Sequence, residues 1–369
     1  MAIGVLLAVL AGLPAAPVAR TRAGVMLAAV GDILLDRGVG ERIGRFGIEY
    51  PFRHVAGILS GADIAFGNLE CPLSAEGIKT PKPFSFRADP AAAECLRRAG
   101  LDIVSLANNH AMDCGRSGLL ETVRHLEGRG IRWCGAGWTR AEAEAATVVT
   151  ARGLRVGFVG FCRFLPEGGF LRDDRPTIAF ASPERVRAAV RAARARADVV
   201  VASFHWGVEY RPYPVAEQER LAKEAVDAGA HLVLGHHPHV LQRVEWLGPH
   251  AVAAYSLGNF VFDSPRPEAR ESAILRFRLS RRGVESVDAI PVRVEGCRPR
   301  PLPAKEGAAI CKRLRLATSE GGHEEVADAE GHSRNQRPGI GNTRLASGAA
   351  PLSVLPDAGR FPAREGGRP

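Results

Sequence analysis

The sequence predicts a layered α/β domain in which mixed sheets are flanked by helices. Two observations carry that expectation. From residue 25 to about 295, short apolar runs alternate with helix-like segments, the pattern of sheets whose faces are covered by helices. The apolar runs also end, again and again, in polar residues able to bind metal. With 369 residues, 46% of them apolar, the chain can bury one sizeable core, and one large domain with flanking segments is the natural organisation.

Taken in chain order, VMLAAV (25–30) ends in Gly31-Asp32, and IAF (64–66) ends in Gly67-Asn68-Leu69-Glu70. Asp89 and Pro90 open a helix that closes at Gly100. DIVSLA (102–107) then ends in Asn108-Asn109-His110. Ser182 and Pro183 open a second helix, and VVVASF (199–204) ends in His205-Trp206-Gly207. A third helix runs from Val215 to Ala228 and closes at Gly229, before HLVLG (231–235) ends in His236-His237-Pro238-His239.

Each of these ends has a plainer reading on its own. Gly31-Asp32 also fits a turn, because Asp readily bonds its own backbone. Asn108-Asn109-His110 equally fits a loop cap, and His205 a hydrogen-bonded core histidine. The histidine motif at 236–239 is harder to treat as structural, since packed imidazoles repel when charged and cost desolvation when buried without partners. In an open α/β sheet, ligand sites form outside the carboxyl ends of the strands, so the five ends would converge on one site. Two carboxylates, an amide and several imidazoles make a mixed nitrogen and oxygen donor set, suited to one or two zinc, manganese or iron ions and not to calcium. Hydrolysis is the chemistry such ions support.

Other readings fall away. The net charge of +9 is mostly arginine, and no basic run interleaves with aromatics, so nucleic acid is not an expected partner. The seven cysteines show neither C-x-x-C spacing nor a pairing pattern and read as small buried hydrophobes. Gly38-Val39-Gly40 resembles the start of a dinucleotide fingerprint, but the third glycine is misplaced and Asp32 to Arg37 intervene after the strand. His54, His125 and His250 follow no strand end that carries other ligands and read as surface or structural residues. The apolar first nineteen residues suit a signal sequence or short anchor over 1–22, which places the domain on the extracytoplasmic face. Beyond residue 317 the chain is rich in Gly, Pro, Ser, Ala and charge, and 318–369, with His323 and His332, reads as a disordered tail.

Six segments in order carry a resemblance: GDILLDR (31–37), GNLECPLS (67–74), SLANNHAMDCGRSGL (105–119), HWGVEYRPYPVAEQERLA (205–222), DAGAHLVLGHHPHVLQRVE (227–245) and YSLGNFVFD (255–263). Over about residues 25–315 the chain resembles the CapA-type proteins of capsule and poly-γ-glutamate synthesis, whose domain is related to calcineurin-like metallophosphatases. The resemblance implies a calcineurin-like metallophosphatase sandwich. It implies Asp32, Glu70, Asn109, His205, His237 and His239 as metal ligands, with Glu70 bridging two ions. His110 would be the catalytic acid or electrostatic stabiliser, and Arg37, Asn68, Glu209, Tyr210 and Asn259 would line the cleft and contact substrate. Leu34 stands where such phosphatases carry the histidine of Asp-x-His, and His231 stands where CapA-like sequences tend to carry Asp.

Two functions follow. One is a metal-dependent hydrolase-type protein of capsule or poly-γ-glutamate synthesis. The other is a non-catalytic accessory subunit that holds the polymer in the former active-site cleft. The implied partners are an anionic cell-surface polymer such as poly-γ-glutamate and the membrane proteins of a synthase or export machine. Location is open to direct test: a reporter active only outside the cytoplasm, fused after residue 24, lights up. An expressed but silent fusion would show that 1–19 is not an export segment.

Overall fold

The computed structural model describes residues 24–165 and 173–317. The segments expected over 1–22 and 318–369 lie outside the described residues, as do His323 and His332. The strands are β1 (Val25–Ile33), β2 (Ile64–Leu69), β3 (Ile103–Ser105), β4 (Arg132–Cys134), β5 (Ala136–Gly137), β6 (Thr147–Ala151), β7 (Leu154–Cys162) and β8 (Thr177–Ile178). After these come β9 (Val199–His205), β10 (Leu232–His236), β11 (Val244–Gly248), β12 (Ala251–Ala254), β13 (Asn259–Val261), β14 (Glu271–Ser280), β15 (Gly283–Glu295) and β16 (Arg298–Pro301). Helices α1 (Arg37–Phe46), α2 (Ala56–Ser60), α3 (Ala93–Ala99), α4 (Gly115–Glu127), α5 (Arg140–Glu144), α6 (Pro183–Arg194), α7 (Ala216–Asp227) and α8 (Ala304–Leu314) connect or follow them.

Two mixed sheets result. The first has eight strands in the order β16-β15-β14-β1-β2-β3-β4, with β13 added beside β1. Strands β1 to β4 and β13 run parallel, whereas β14, β15 and β16 form antiparallel pairs. The second has six strands in the order β11-β12-β10-β9-β7-β6, parallel through β12, β10, β9 and β7. The sheets meet face to face, Phe66 of β2 stacking on Phe158 of β7 with ring centroids 5.6 Å apart. Outside the first sheet, Leu96 of α3 and Leu119, Val123 and Leu126 of α4 cluster with Ala65 and Val104. On the far side, Val186 and Val190 of α6 and Leu221 and Ala222 of α7 cover Val200, Ala202 and Val233. The layered α/β class is therefore the observed one. Burying each large apolar side chain contributes about 1.5–3 kcal/mol, so this four-layer core fixes the strand ends.

The helix boundaries follow local chemistry. Asp89 accepts a bond from the Ala91 N–H at 2.7 Å, and Gly100 closes α3 in the left-handed region. Ser182 accepts from the Arg185 N–H ahead of α6. The Val215 N–H donates to Gln218 Oε1 at 3.0 Å, so α7 is capped from within its first turn.

The amino ends of the parallel strands share one device. The residue just before a strand turns its side chain to accept the first free N–H of the neighbouring strand. Asp63 accepts from Met26 at 2.8 Å, Asp102 from Ala65 at 2.8 Å and Asp198 from Arg155 at 2.9 Å. Before β10 the same position holds His231, whose Nδ1 accepts from the Val200 N–H at 3.2 Å. An imidazole can accept there only while that nitrogen is unprotonated. Burial, with the charges of Arg194 and His250, pushes His231 down to about 4. The folded chain thus keeps it neutral where the unfolded chain, with an ordinary pKa near ~6.5, takes up a proton. Stability therefore falls as pH drops from about 6.5 towards about 4. The expected loss is on the order of 1–2 kcal/mol after allowance for solvent screening. Denaturant unfolding at several pH values shows it, and His231→Asp, which supplies the acceptor used elsewhere, removes that part of the fall. An unchanged pH dependence in His231→Asp would disprove the assignment.

Candidate metal centre

Close backbone approach sets the first site residue. A Cβ on Gly31 would lie 1.9 Å from the Gly258 carbonyl oxygen, so only glycine lets β1 run beside the loop into β13. Asp32, next in the chain, donates its N–H to that same carbonyl at 2.9 Å and pairs in register with Asn259. Gly235 repeats the arrangement in the other sheet, its Cβ position lying 1.9 Å from the Tyr255 carbonyl oxygen. The histidine motif begins immediately after it. His237 and His239 then take φ values of 94° and 59°, the left-handed region that disfavours side chains bearing a Cβ. Two strained residues flanking Pro238 bring both imidazoles towards β1.

These ends meet. Glu70 is fully buried, its Oε1 3.7 Å from His205 Nε2 and 4.0 Å from His239 Nε2. Asp32 Oδ2 lies 3.4 Å from His239 Nδ1 and accepts from the His237 N–H at 3.3 Å. His205 Nε2 is 2.7 Å from Asn109 Oδ1 and 3.1 Å from His237 Nδ1. Two donor groups can hold a cation, one from Asp32, Glu70 and His205, the other from Glu70, His237 and His239, with the donor atoms of each within 4.8 Å of one another. Glu70 belongs to both.

Electrostatics fit the same use. Burial, reinforced by the charge of Asp32, pushes the Glu70 carboxyl well above the carboxylate range, and neither of its oxygens has a hydrogen-bond partner. Burial also opposes ionisation of Asp32, but the imidazoles of His236 and His239 beside it prevail and hold it well below. His205 is pushed down by burial and the charge of His237, and His237 falls to about 3 through burial and the charge of His239. His239 is buried too, yet the charges of Glu70 and Asp32 lift it to about 9. The neutral imidazoles of His205 and His237 and the unpartnered Glu70 carboxyl suit a divalent cation, which would displace the proton of His239. The residues present therefore fit the group that the donor pattern implies.

The remaining candidates take different positions. Asn68 is fully buried below the ligands, its amide donating to Asp32 Oδ1 at 2.9 Å while its oxygen accepts from Asn108 at 3.1 Å. Asn259 is buried as well, its oxygen 2.9 Å from His239 Nδ1 and its amide donating to the Ala269 carbonyl. Both amides orient ligands. Tyr210 is half-buried with its ring 5.9 Å from that of His239, and Glu209 is exposed. Arg37 pairs with Asp263 and lies over the Phe86 ring at 4.9 Å. Leu34 is fully buried in the apolar core, so that position directs no donor to the ions.

His110 stands beside the ligands, its Nδ1 2.8 Å from Asp113 Oδ2. Burial lowers its pKa and the Asp113 hydrogen bond opposes that. Asp113, fully shielded, also accepts from the Phe86 N–H and meets Lys82 Nζ at 2.7 Å, and Lys82 donates to the Asn109 carbonyl at 3.0 Å. Sequence reasoning missed Asp113 and Lys82. Asp113 was open to detection, three residues after His110 in the same segment. Lys82 was not, because it comes from an irregular loop. Also missed were Phe164, whose ring covers that of His237 at 4.3 Å, and the individual role of His236, whose Nδ1 is 3.4 Å from Asp32 Oδ1.

Comparison with known proteins agrees with the ordered segments. A family model described as "Bacterial capsule synthesis protein PGA_cap" matches residues 26–264. The chain is 32% identical over 301 residues to the capsule biosynthesis protein CapA of Bacillus anthracis, covering 79% of this chain and 73% of that protein. It is 30% identical over 276 residues to the PGA biosynthesis protein CapA of Bacillus subtilis, covering 74% and 72%. Among solved structures, the calcineurin-like phosphoesterase YfkN of Bacillus subtilis aligns at 13% identity with a TM-score of 0.43, over 72% of this chain and 90% of that one. The chain belongs to the PGA_cap family of bacterial capsule synthesis proteins.

Proposed function

We propose that this protein acts in the synthesis of a poly-γ-glutamate type capsule, through a divalent-metal-dependent hydrolase-type site that works on the anionic polymer or a phosphate ester. The carrying observation is Glu70, fully buried, with both oxygens unpartnered and shared by two donor groups of carboxylates and imidazoles. The polymer is supported by the names of the Bacillus subtilis and Bacillus anthracis relatives. An extracytoplasmic location, with synthase or export membrane proteins as partners, accords with the apolar first nineteen residues.

Asp32, Glu70 and His205 would hold one ion and Glu70, His237 and His239 the other, with Asn109 beside His205. Manganese, zinc or iron suits these donors. A bound divalent ion supplies Lewis-acid polarisation of a substrate oxygen. The chain itself supplies the proton chemistry. Asp113, as an acceptor, fixes the His110 proton on Nδ1 and leaves Nε2 to exchange a proton with a reacting or leaving oxygen. Lys82 neutralises Asp113, so Asp113 orients His110 without taking its proton outright. Asn68 and Asn259 hold Asp32 and His239 in place.

Metal content per chain, measured on protein offered manganese and zinc, tests the site. Glu70→Ala removes a donor from both groups and loses both ions, whereas His237→Ala loses one. Equal content in wild type and both variants would show that the buried cluster is structural. His110→Ala is expected to leave metal content intact while turnover of a chromogenic phosphodiester or a γ-glutamyl oligomer falls by about 10²–10⁴-fold. Unchanged turnover by metal-loaded His110→Ala would remove His110 from the mechanism.

A further inference from the structure

Beside the metal centre lies a cavity of about 220 Å³, walled by Gly38, Arg42, Phe262, Asp263, Arg270 and Cys297. Phe262 is the partition, since its ring centroid is 5.1 Å from that of His239. The cavity is thus one side chain away from the proposed ligands. Its volume is below the roughly 300–1,000 Å³ of sites that enclose a whole small ligand. It has room for one residue-sized group.

The charges of its wall are unbalanced. Asp263 is already engaged, pairing with Arg37 and accepting the Gly38 N–H at 3.1 Å. A Cβ on Gly38 would sit 3.1 Å from that same carboxylate, so the lack of a side chain keeps this wall open. Arg270 donates to the carbonyls of Ser264 and Pro265, which shapes the rim and leaves its charge uncompensated. Arg42 is the informative residue. Its Nε is 3.3 Å from Cys297 Sγ, and sulfur is a weak acceptor for a guanidinium that carries five N–H donors. Several arginines of this chain are matched to carboxylates, as in Arg155 with Asp198, Arg187 with Glu224 and Arg276 with Asp288, and others, such as Arg132 and Arg194, bond backbone carbonyls. Among the described residues Arg42 has no such partner. Cys297, at φ 68°, is held in the left-handed region at the cavity wall, and Gly296 beside it is also at positive φ.

A guanidinium at a cavity wall with a thiol for its partner is a receptor for an anion. The nearby Asp263 disfavours a doubly charged phosphate and leaves a singly charged carboxylate as the better match. We infer that this cavity is a subsite for one carboxylate-bearing residue of an anionic chain whose neighbouring group lies against the metal centre. The inference rests on the proposed function, because a γ-linked glutamate chain offers one free carboxylate per residue. It gives the site a way to register such a chain, since one carboxylate docked on Arg42 sets which bond reaches the ligands beyond Phe262.

Calorimetric titration of the full, metal-loaded chain with a γ-linked glutamate oligomer tests this. Arg42→Gln is expected to weaken binding at least about tenfold, with metal content and thermal melting unchanged, and Arg42→Lys to restore part of it. An oligomer whose carboxylates are converted to amides binds wild type and Arg42→Gln alike. Equal binding of the acidic oligomer by wild type and Arg42→Gln overturns the subsite and leaves the polymer reading standing. Arg42-dependent binding of glutarate with no binding of the oligomer overturns the polymer reading and keeps the subsite. If wild type binds neither, both fail. Displacement by inorganic phosphate at lower concentration than by glutarate overturns the choice of carboxylate.

Discussion

A buried carboxylate that the chain leaves unsatisfied organises the carboxyl edge of this fold. Glu70 lies fully buried with both oxygens unpartnered, close to a second buried carboxylate. Leaving such a group ionised in the interior without partners costs several kcal/mol. Neutralising it by protonation leaves its oxygens still short of donors. Of the imidazoles around it, burial and mutual repulsion hold His205 and His237 neutral, and His239, lifted to about 9, stands 4.0 Å from Glu70, too far for a hydrogen bond. A divalent cation answers the whole arrangement at once, by supplying positive charge to both carboxylates and an acceptor for the imidazole lone pairs. A divalent cation in this cluster is therefore expected to stabilise the folded state, by mass action.

Delivering the donors to one point is the work of both sheets. Asp32, Asn68 and Glu70 come from the first sheet, and His205 and the histidine motif come from the second. No single layer contains the cluster, so the face-to-face packing that includes Phe66 on Phe158 is a condition of its assembly. Two glycines at points of backbone contact, Gly31 and Gly235, place the next residues. A layer of amides below the ligands, Asn68, Asn108 and Asn259, then fixes their orientation. Strain at His237 and His239 is tolerated because the surrounding strands over-determine those positions.

Much of this was legible in the sequence, and for an identifiable reason. The alternation of apolar runs with helices reports layers, and chemistry in such layers sits at strand ends, so the polar segments at 31–32, 67–70, 108–110, 205–207 and 236–239 could be read as converging, while the resemblance to CapA-type proteins singled out Asp32, Glu70, Asn109, His205, His237 and His239 among them. Helix caps at Asp89 and Ser182 were equally plain, being local side-chain chemistry. What was not legible depends on contacts distant in sequence. The role of Asn259 as a support for His239 requires knowing that β13 lies beside β1. Lys82 reaches Asp113 from an irregular loop with no periodicity to place it. The long antiparallel pair of β14 and β15 extends the first sheet on the side away from β2, and the strand-end pattern says nothing about that extension. Net charge was the least informative feature, because it does not separate Arg155, Arg187 and Arg276, which are matched to carboxylates, from Arg42, which meets a thiol.

The polarity of the parallel strands divides the labour between their two ends, and this decides how two unusual residues should be weighed. At the amino ends, Asp63, Asp102, Asp198 and His231 each accept an N–H from the adjacent strand. Any side chain with a well-placed acceptor serves there, so His231 in a position that CapA-like sequences tend to give to Asp preserves the interaction and changes only its pH range. Leu34 is at the opposite end, where identity matters more than shape. Its burial in the apolar core supplies packing and withholds a donor, so an ion on that side would depend on Asp32, Glu70 and His205. His236 then acquires significance, because its Nδ1 is 3.4 Å from Asp32 Oδ1 and both of its ring nitrogens lack hydrogen-bond partners. Its ring beside the carboxylate helps to keep Asp32 ionised, so the second sheet supports a residue to which Leu34, just after β1, offers no companion donor.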